Sequence, residues 1–113
     1  MSEQEKMILN TKQEMKRGTL VLAVLMLVDS PQYGYSLIEA LNEKGINVEQ
    51  NTLYPLLRRL EKQNILESIW QVENNRPRRY YKISEEGKAL RENLIKEWVE
   101  LSLAMNALIG GKS

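Results

Sequence analysis

Apolar residues change rhythm twice along this chain, and each rhythm predicts an element. In QNTLYPLLRRLEKQNIL, residues 50–66, Leu53, Leu56, Leu57 and Leu60 fall at i, i+3, i+4 and i+7. That stripe predicts an amphipathic helix over 52–63, with Tyr54, Arg58, Arg59 and Lys62 facing away from it or flanking it. Upstream, TLVLAVLMLV at 19–28 is apolar nearly all round. It predicts the second half of a helix over 11–28 that is contacted on more than one side, and it is too short to span a bilayer. DSPQYG ends that helix, because Pro31 stops propagation. A helix over 33–44 follows, with Leu37, Ile38 and Leu41 on its buried face and Gly45 as its C′ residue. Residues 1–10 are polar apart from Met7, Ile8 and Leu9, and read as a loose arm or a short added helix.

After residue 64 the rhythm becomes that of strands. ILESIWQV (65–72) and RRYYKIS (78–84) are rich in β-branched and aromatic residues, and ENNRP between them is turn-forming. This predicts a hairpin with a basic, Asn-rich tip. Ser84 then serves as N-cap, with Glu85 and Glu86 in the first turn of a last helix that ends at Gly110-Gly111. On that helix Leu94, Trp98, Leu101, Met105 and Leu108 are spaced 4, 3, 4, 3, a coiled-coil-like seam widened by Ile95 and Val99. The seam fits a homodimer interface, packing against the chain's own first helix, or a core shared by both. The expected fold is mainly α with a small β-hairpin: a winged helix-turn-helix over 1–84 and a C-terminal dimerisation helix over 85–113, forming one compact unit.

Charge adds a direction to this outline. The chain carries +1 overall, yet residues 50–82 hold seven Lys/Arg against three Glu. One basic segment on a mildly acidic body is the footprint of a local anion-binding face. Composition also excludes chemistry. With no Cys and no His, thiolate catalysis, disulfides, Cys/His metal sites and His-based triads are ruled out, and no metal or cofactor is expected. No nucleophile–base pair or phosphate-cradling glycine loop is present, so the chain does not read as an enzyme. The polar start MSEQEK is unlike a secretory signal, and the expected location is cytoplasmic, with no membrane partner.

Three short helices, a basic hairpin and a long last helix place the 52–63 helix in a DNA major groove. Its leucines anchor it; Asn51, Thr52, Tyr54, Pro55, Arg58, Arg59 and Lys62 are the candidate contacts to a double-stranded operator. Arg binds guanine edges bidentately or clamps phosphate, and Lys more often takes phosphate. Pro55 fits best near a first turn, which predicts a helix start at Asn51 or Thr52. Tyr54, the residue before it, must then be held helical by packing. In the wing, Asn74, Asn75, Arg76, Arg78 and Arg79 are candidates for phosphate or minor-groove contact. Trp70 and at least one of Tyr80 and Tyr81 are expected to pack the wing onto the helices.

PQYGYSLIEAL, NTLYPLLRRLEKQNIL and RPRRYYKISEEGKAL resemble the PadR-type transcriptional regulators across about residues 18–90. Asn51 departs from the Gly or Ser often found before TLYP in that family. The resemblance implies a homodimeric repressor that binds a palindromic operator and releases it when a small effector binds. KEWVELSLAM is similar to the last helix of small, drug-responsive members, in which paired Trp rings sandwich flat aromatic compounds. That makes Trp98 either a ligand-sandwiching residue or a dimer-core residue; other members sense phenolic acids. Two further functions compete with the repressor: a winged-helix adaptor whose basic face binds an acidic protein, and a ligand-binding protein without specific DNA binding.

Overall fold

The order of elements follows the expected outline, with one strand added. In the computed structural model, which describes residues 1–111, the chain runs α1 (Glu3–Leu25), β1 (Gln32–Tyr33), α2 (Gly34–Glu43), α3 (Gln50–Lys62), β2 (Leu66–Glu73), β3 (Arg76–Ile83) and α4 (Glu85–Ile109). The last two residues of the predicted 85–113 segment lie outside the described residues. The sheet is antiparallel in the order β1-β3-β2. This is a winged helix: α2 and α3 form the helix-turn-helix, and the β2–β3 hairpin is the wing.

α1 differs from the expectation at its start. Residues 3–10 are neither a loose arm nor a separate helix but the first turns of α1. A capping box explains this. The Glu5 N–H donates to the Ser2 hydroxyl at 3.1 Å, and the Ser2 N–H donates to the Glu5 carboxylate at 3.2 Å. No proline follows until residue 31, so nothing breaks the helix before its end. α3 starts at Gln50, one or two residues before the predicted Asn51 or Thr52, which puts Pro55 beyond the first turn. The proline takes one N–H out of the i→i−4 ladder, so the Asn51 carbonyl has no ladder donor.

The wing turn is tighter than the five-residue cluster suggested. Glu73 faces Arg76 across it, leaving Asn74 and Asn75 as a two-residue loop with φ of 51° and 62°. Both residues are left-handed, as a type I′ hairpin requires, and Asn tolerates that backbone better than most residues. Pro77 lies in β3 beyond the reach of β1, which pairs only with Tyr80 and Tyr81, so its missing N–H costs no ladder bond. β1 itself was not predicted, because a two-residue strand has no period to read.

One core joins these elements: Val24, Leu25 and Val28 from the first helix and its end, Leu37 and Leu41 from α2, Leu53, Leu57 and Leu60 from α3, and Leu66, Tyr81 and Ile83 from the sheet. Leu56 is only partly buried and packs at the edge of this cluster. The start of α4 is fixed by backbone contact. The Ser84 hydroxyl donates to the Asn64 carbonyl at 2.6 Å and accepts from the Gly87 N–H at 3.0 Å. A Cβ on Gly87 would sit 2.3 Å from the Ile65 carbonyl oxygen, so only glycine allows this approach. One turn later the Arg91 guanidinium donates to the Leu25 carbonyl at 3.1 Å and pairs with Asp29 at 2.9 Å, tying α4 to the end of α1. Past Leu94 in α4, and before Leu20 in α1, both long helices leave the core. The first half of α1 and the last half of α4 expose Met7, Met15, Trp98, Leu101, Met105 and Leu108.

Candidate nucleic-acid interface

Helical geometry divides α3 into faces. At 100° per residue, Leu53, Leu57 and Leu60 point inward, and Asn51, Pro55, Arg58 and Lys62 form the opposite, exposed row. Thr52 is exposed at the margin of that row. Arg59 is exposed too, on the same side of the helix as Thr52 and one turn beyond Leu56. It borders a groove of about 510 Å³ between α1, α3 and α4, where Leu22, Leu94 and Trp98 are neighbours. Tyr54 is half-buried on the wing side and leans on α2. A Cβ on Gly34 would lie 2.2 Å from its ring, so the Gly-Tyr of QYGY and the Tyr of TLYP are one packing unit. This contact holds Tyr54 helical ahead of Pro55.

The wing places its basic residues in three different settings. Asn74, Asn75 and Arg76 are exposed at the tip. Arg78 lies over the Tyr33 ring, 4.6 Å from its centroid, with the Glu73 carboxylate 3.9 Å away. Arg79 points back to the helix. Its guanidinium donates to Glu61 of α3 at 2.6 Å and stands 5.7 Å from the centroids of both Trp70 and Tyr81. The Ser68 hydroxyl donates to the other Glu61 oxygen. The Ser68 hydrogen bond is the main cause that holds the Glu61 carboxyl below the usual carboxylate range; burial opposes it, and the hydrogen bond and charge of Arg79 add to the lowering. On the other face of β3, the Tyr80 hydroxyl donates to Glu73 at 2.7 Å, which raises the phenol's pKa; burial raises that of Tyr81.

The arrangement therefore gathers Tyr54, Arg58, Arg78 and Arg79 where α3 meets the wing, carries Asn74–Arg76 outward at the tip, and sends Arg59 to the groove. Sequence reasoning left Tyr33 open between packing and a hydroxyl contact to the DNA backbone, and missed Glu61, Ser68 and Glu73, which with Tyr33 orient these arginines. Period-two alternation held a partial signal: Ser68 and Trp70 share a sheet face with Tyr81 and Arg79 across the register. Along the last helix Leu94 packs on the chain's own core, and Trp98, Leu101, Met105 and Leu108 are exposed in a row. No helix among the described residues is long and apolar enough to cross a membrane.

Comparison with known proteins agrees with this geometry. The profile of the PadR-like transcriptional regulator family matches residues 21–93. A PadR family transcriptional regulator from Eggerthella lenta superimposes with a TM-score of 0.85 at 38% identity, covering 93% of this chain and 94% of that one. A PadR-like transcription factor from Bacteroides fragilis gives 0.73 at 33% identity, covering 88% and 98%. A transcriptional regulator of Mycobacterium tuberculosis is 32% identical over 101 residues, covering 88% of this chain and 92% of its own length. The matched family is one of regulators and not of enzymes, and its profile spans α2, α3 and the whole wing. The chain belongs to the PadR-like family of DNA-binding transcriptional regulators.

Proposed function

We propose that the protein is a dimeric repressor that binds a palindromic operator and leaves it when a small aromatic effector binds. The observation that carries this reading is the pairing of two surfaces on one chain. One is the exposed Asn51, Pro55, Arg58 and Lys62 row beside a basic wing. The other is the open apolar faces of α1 and α4. Trp98 is 49% exposed and Leu108 74% exposed, more apolar surface than an isolated small chain presents without a partner. The radius of gyration is 16.6 Å, against about 13 Å for a compact chain of this length. A two-fold axis along these helices covers their apolar faces and aims two α3 helices at half-sites about one duplex turn, ~34 Å, apart. The groove beside Trp98 has apolar walls with Arg59 and Glu97 at its edge, a setting suited to a flat aromatic compound. Such a protein acts on DNA in the cytoplasm.

The first experiment is a titration against the promoter upstream of the chain's own coding sequence, with a scrambled duplex as control, at two salt concentrations. Preference of about 10³-fold or more is expected of a specific regulator. Equal, strongly salt-sensitive binding to both duplexes would leave only a nonspecific basic surface. Sedimentation of Leu101→Glu tests the dimer: the variant is expected to run as a monomer and to lose operator binding. Trp98→Ala, if still dimeric, is expected to bind operator normally and to stop responding to aromatic compounds. An unchanged response would remove Trp98 from the effector site.

A further inference from the structure

Where α3 meets the wing the surface is indented by a notch of about 300 Å³. Arg58, Arg78, Arg79, Tyr33, Tyr54 and Tyr81 line it, and no carboxylate does. The three arginines are not equivalent. Arg79 is matched by Glu61 at 2.6 Å. Arg78 has one carboxylate neighbour, Glu73, at 3.9 Å, near the limit of an ion pair. No carboxylate among the described residues is within ion-pair distance of Arg58. The notch thus holds two guanidinium groups with little or no neutralisation, one on each wall.

The walls are fixed before anything binds. Tyr54 is wedged against Gly34, and the Tyr33 ring supports the Arg78 guanidinium from beneath. Arg79, between Trp70 and Tyr81, joins with Ser68 to bind both wing strands to Glu61 of α3. The separation of the two walls is set by folding, so binding has mainly the exposed Arg58 side chain left to order.

We propose that this notch is a preformed seat for a single backbone phosphodiester of the bound duplex, gripped by Arg58 from α3 and Arg78 from the wing. The proposal rests on the DNA-binding reading above. A phosphodiester accepts charge-assisted hydrogen bonds from two guanidinium groups at once. The volume corresponds to about ten waters at ~30 Å³ each, enough for a phosphate with part of its hydration shell. Glu73 is the resident competitor, and the phosphate displaces Arg78 from it. A contact at this point carries no base information. It sets the register of α3 in one groove relative to the wing over the next.

The test is a scan of single methylphosphonate substitutions, which remove one backbone charge at a time, across one half-site. Duplexes are titrated with the full-length chain, Arg58→Gln and Arg78→Gln. One position per half-site is expected to weaken the wild type by about tenfold or more, the scale of one hydrogen bond to a charged group. At that position alone the loss should shrink in both variants, since the partner is already gone. Losses that add fully at every position, or a scan with no position standing out, would overturn the seat. Inorganic phosphate against chloride at matched ionic strength separates a second source of the anion. If phosphate displaces duplex from the wild type but not from Arg78→Gln, and no backbone position couples, the notch is a free-anion site and the proposal fails. A wild type without operator preference is a different failure, that of the DNA-binding reading, and it removes the seat as well.

Discussion

Gly34 and Gly87 both lack a Cβ because something occupies its place, but the occupants differ. At Gly34 it is the far end of the Tyr54 ring; at Gly87 it is the Ile65 carbonyl, with the Ile83 side chain behind it. A ring can swing at a cost, while a backbone pinned by the Ser84 cap cannot. Gly87→Ala is therefore expected to lower stability more than Gly34→Ala, which should cost about 1–3 kcal/mol, as overpacking does. Urea midpoints would rank them, and Tyr54→Leu should rescue Gly34→Ala only. At Glu61 the lowered carboxyl pKa gives a pH signature. The unfolded chain titrates near the ordinary value of 4.5, and the folded chain below it. The stability Glu61 adds is present above about pH 4.5 and vanishes as pH falls through the lowered value. Glu61→Gln should be less stable than the wild type at pH 7, and the gap should close towards pH 3; a gap independent of pH would mean that the carboxylate charge contributes nothing. The sequence showed Arg58 and Arg79 as two equal cations of one basic segment. It did not show that Arg79 faces a carboxylate eighteen positions earlier, because that pairing depends on how the wing folds back over α3.

Among the elements, the wing turn gives the sharpest prediction. Asn74 and Asn75 both hold left-handed backbone. Asn75→Gly should be neutral or slightly stabilising, and Asn75→Val should destabilise the hairpin by about 1–2 kcal/mol, the penalty for a side chain held left-handed. Amide exchange along β2 and β3 would report it, with protection falling in Asn75→Val and kept in Asn75→Gly. Elements with several turns of regular spacing were legible in the sequence. α2, α3, both wing strands and α4 lie within a few residues of their expected bounds, because each buries a regular face. What failed to show has equally local reasons. β1 exists only through its pairing with Tyr80 and Tyr81. The early start of α1 depends on Ser2 and Glu5, a cap hidden in a polar stretch that resembled an arm. Pro55 suggested a first turn, yet it lies deeper, because the Gly34–Tyr54 contact tolerates what propensity opposes.

At the scale of the whole chain, α4 is held to the winged domain over its first turns, by the Ser84 cap, the Gly87 approach to Ile65 and the Arg91 clamp on Leu25 and Asp29. From Arg91 to Ile109 the helix projects about 27 Å at 1.5 Å per residue. It is a lever with its fulcrum at the clamp. A tilt of about 10° there moves the far end by about 5 Å over that length; in the repressor we propose, a compound seated near Trp98 would act partway along the arm and its push would reach the winged domain through the fulcrum. The stiffness of these attachments would then set how much of the motion arrives. Asp29→Ala removes the one carboxylate paired with Arg91 among the described residues, keeps the Leu25 carbonyl bond and leaves the groove intact. It should bind aromatic compounds as before, seen by Trp fluorescence, while operator release at saturation becomes weaker. Full release in that variant would place the transmission elsewhere. In the repressor we propose, an evolving chain of this shape has a gear ratio to adjust, and a single surface aspartate would adjust it without touching either the ligand or the DNA.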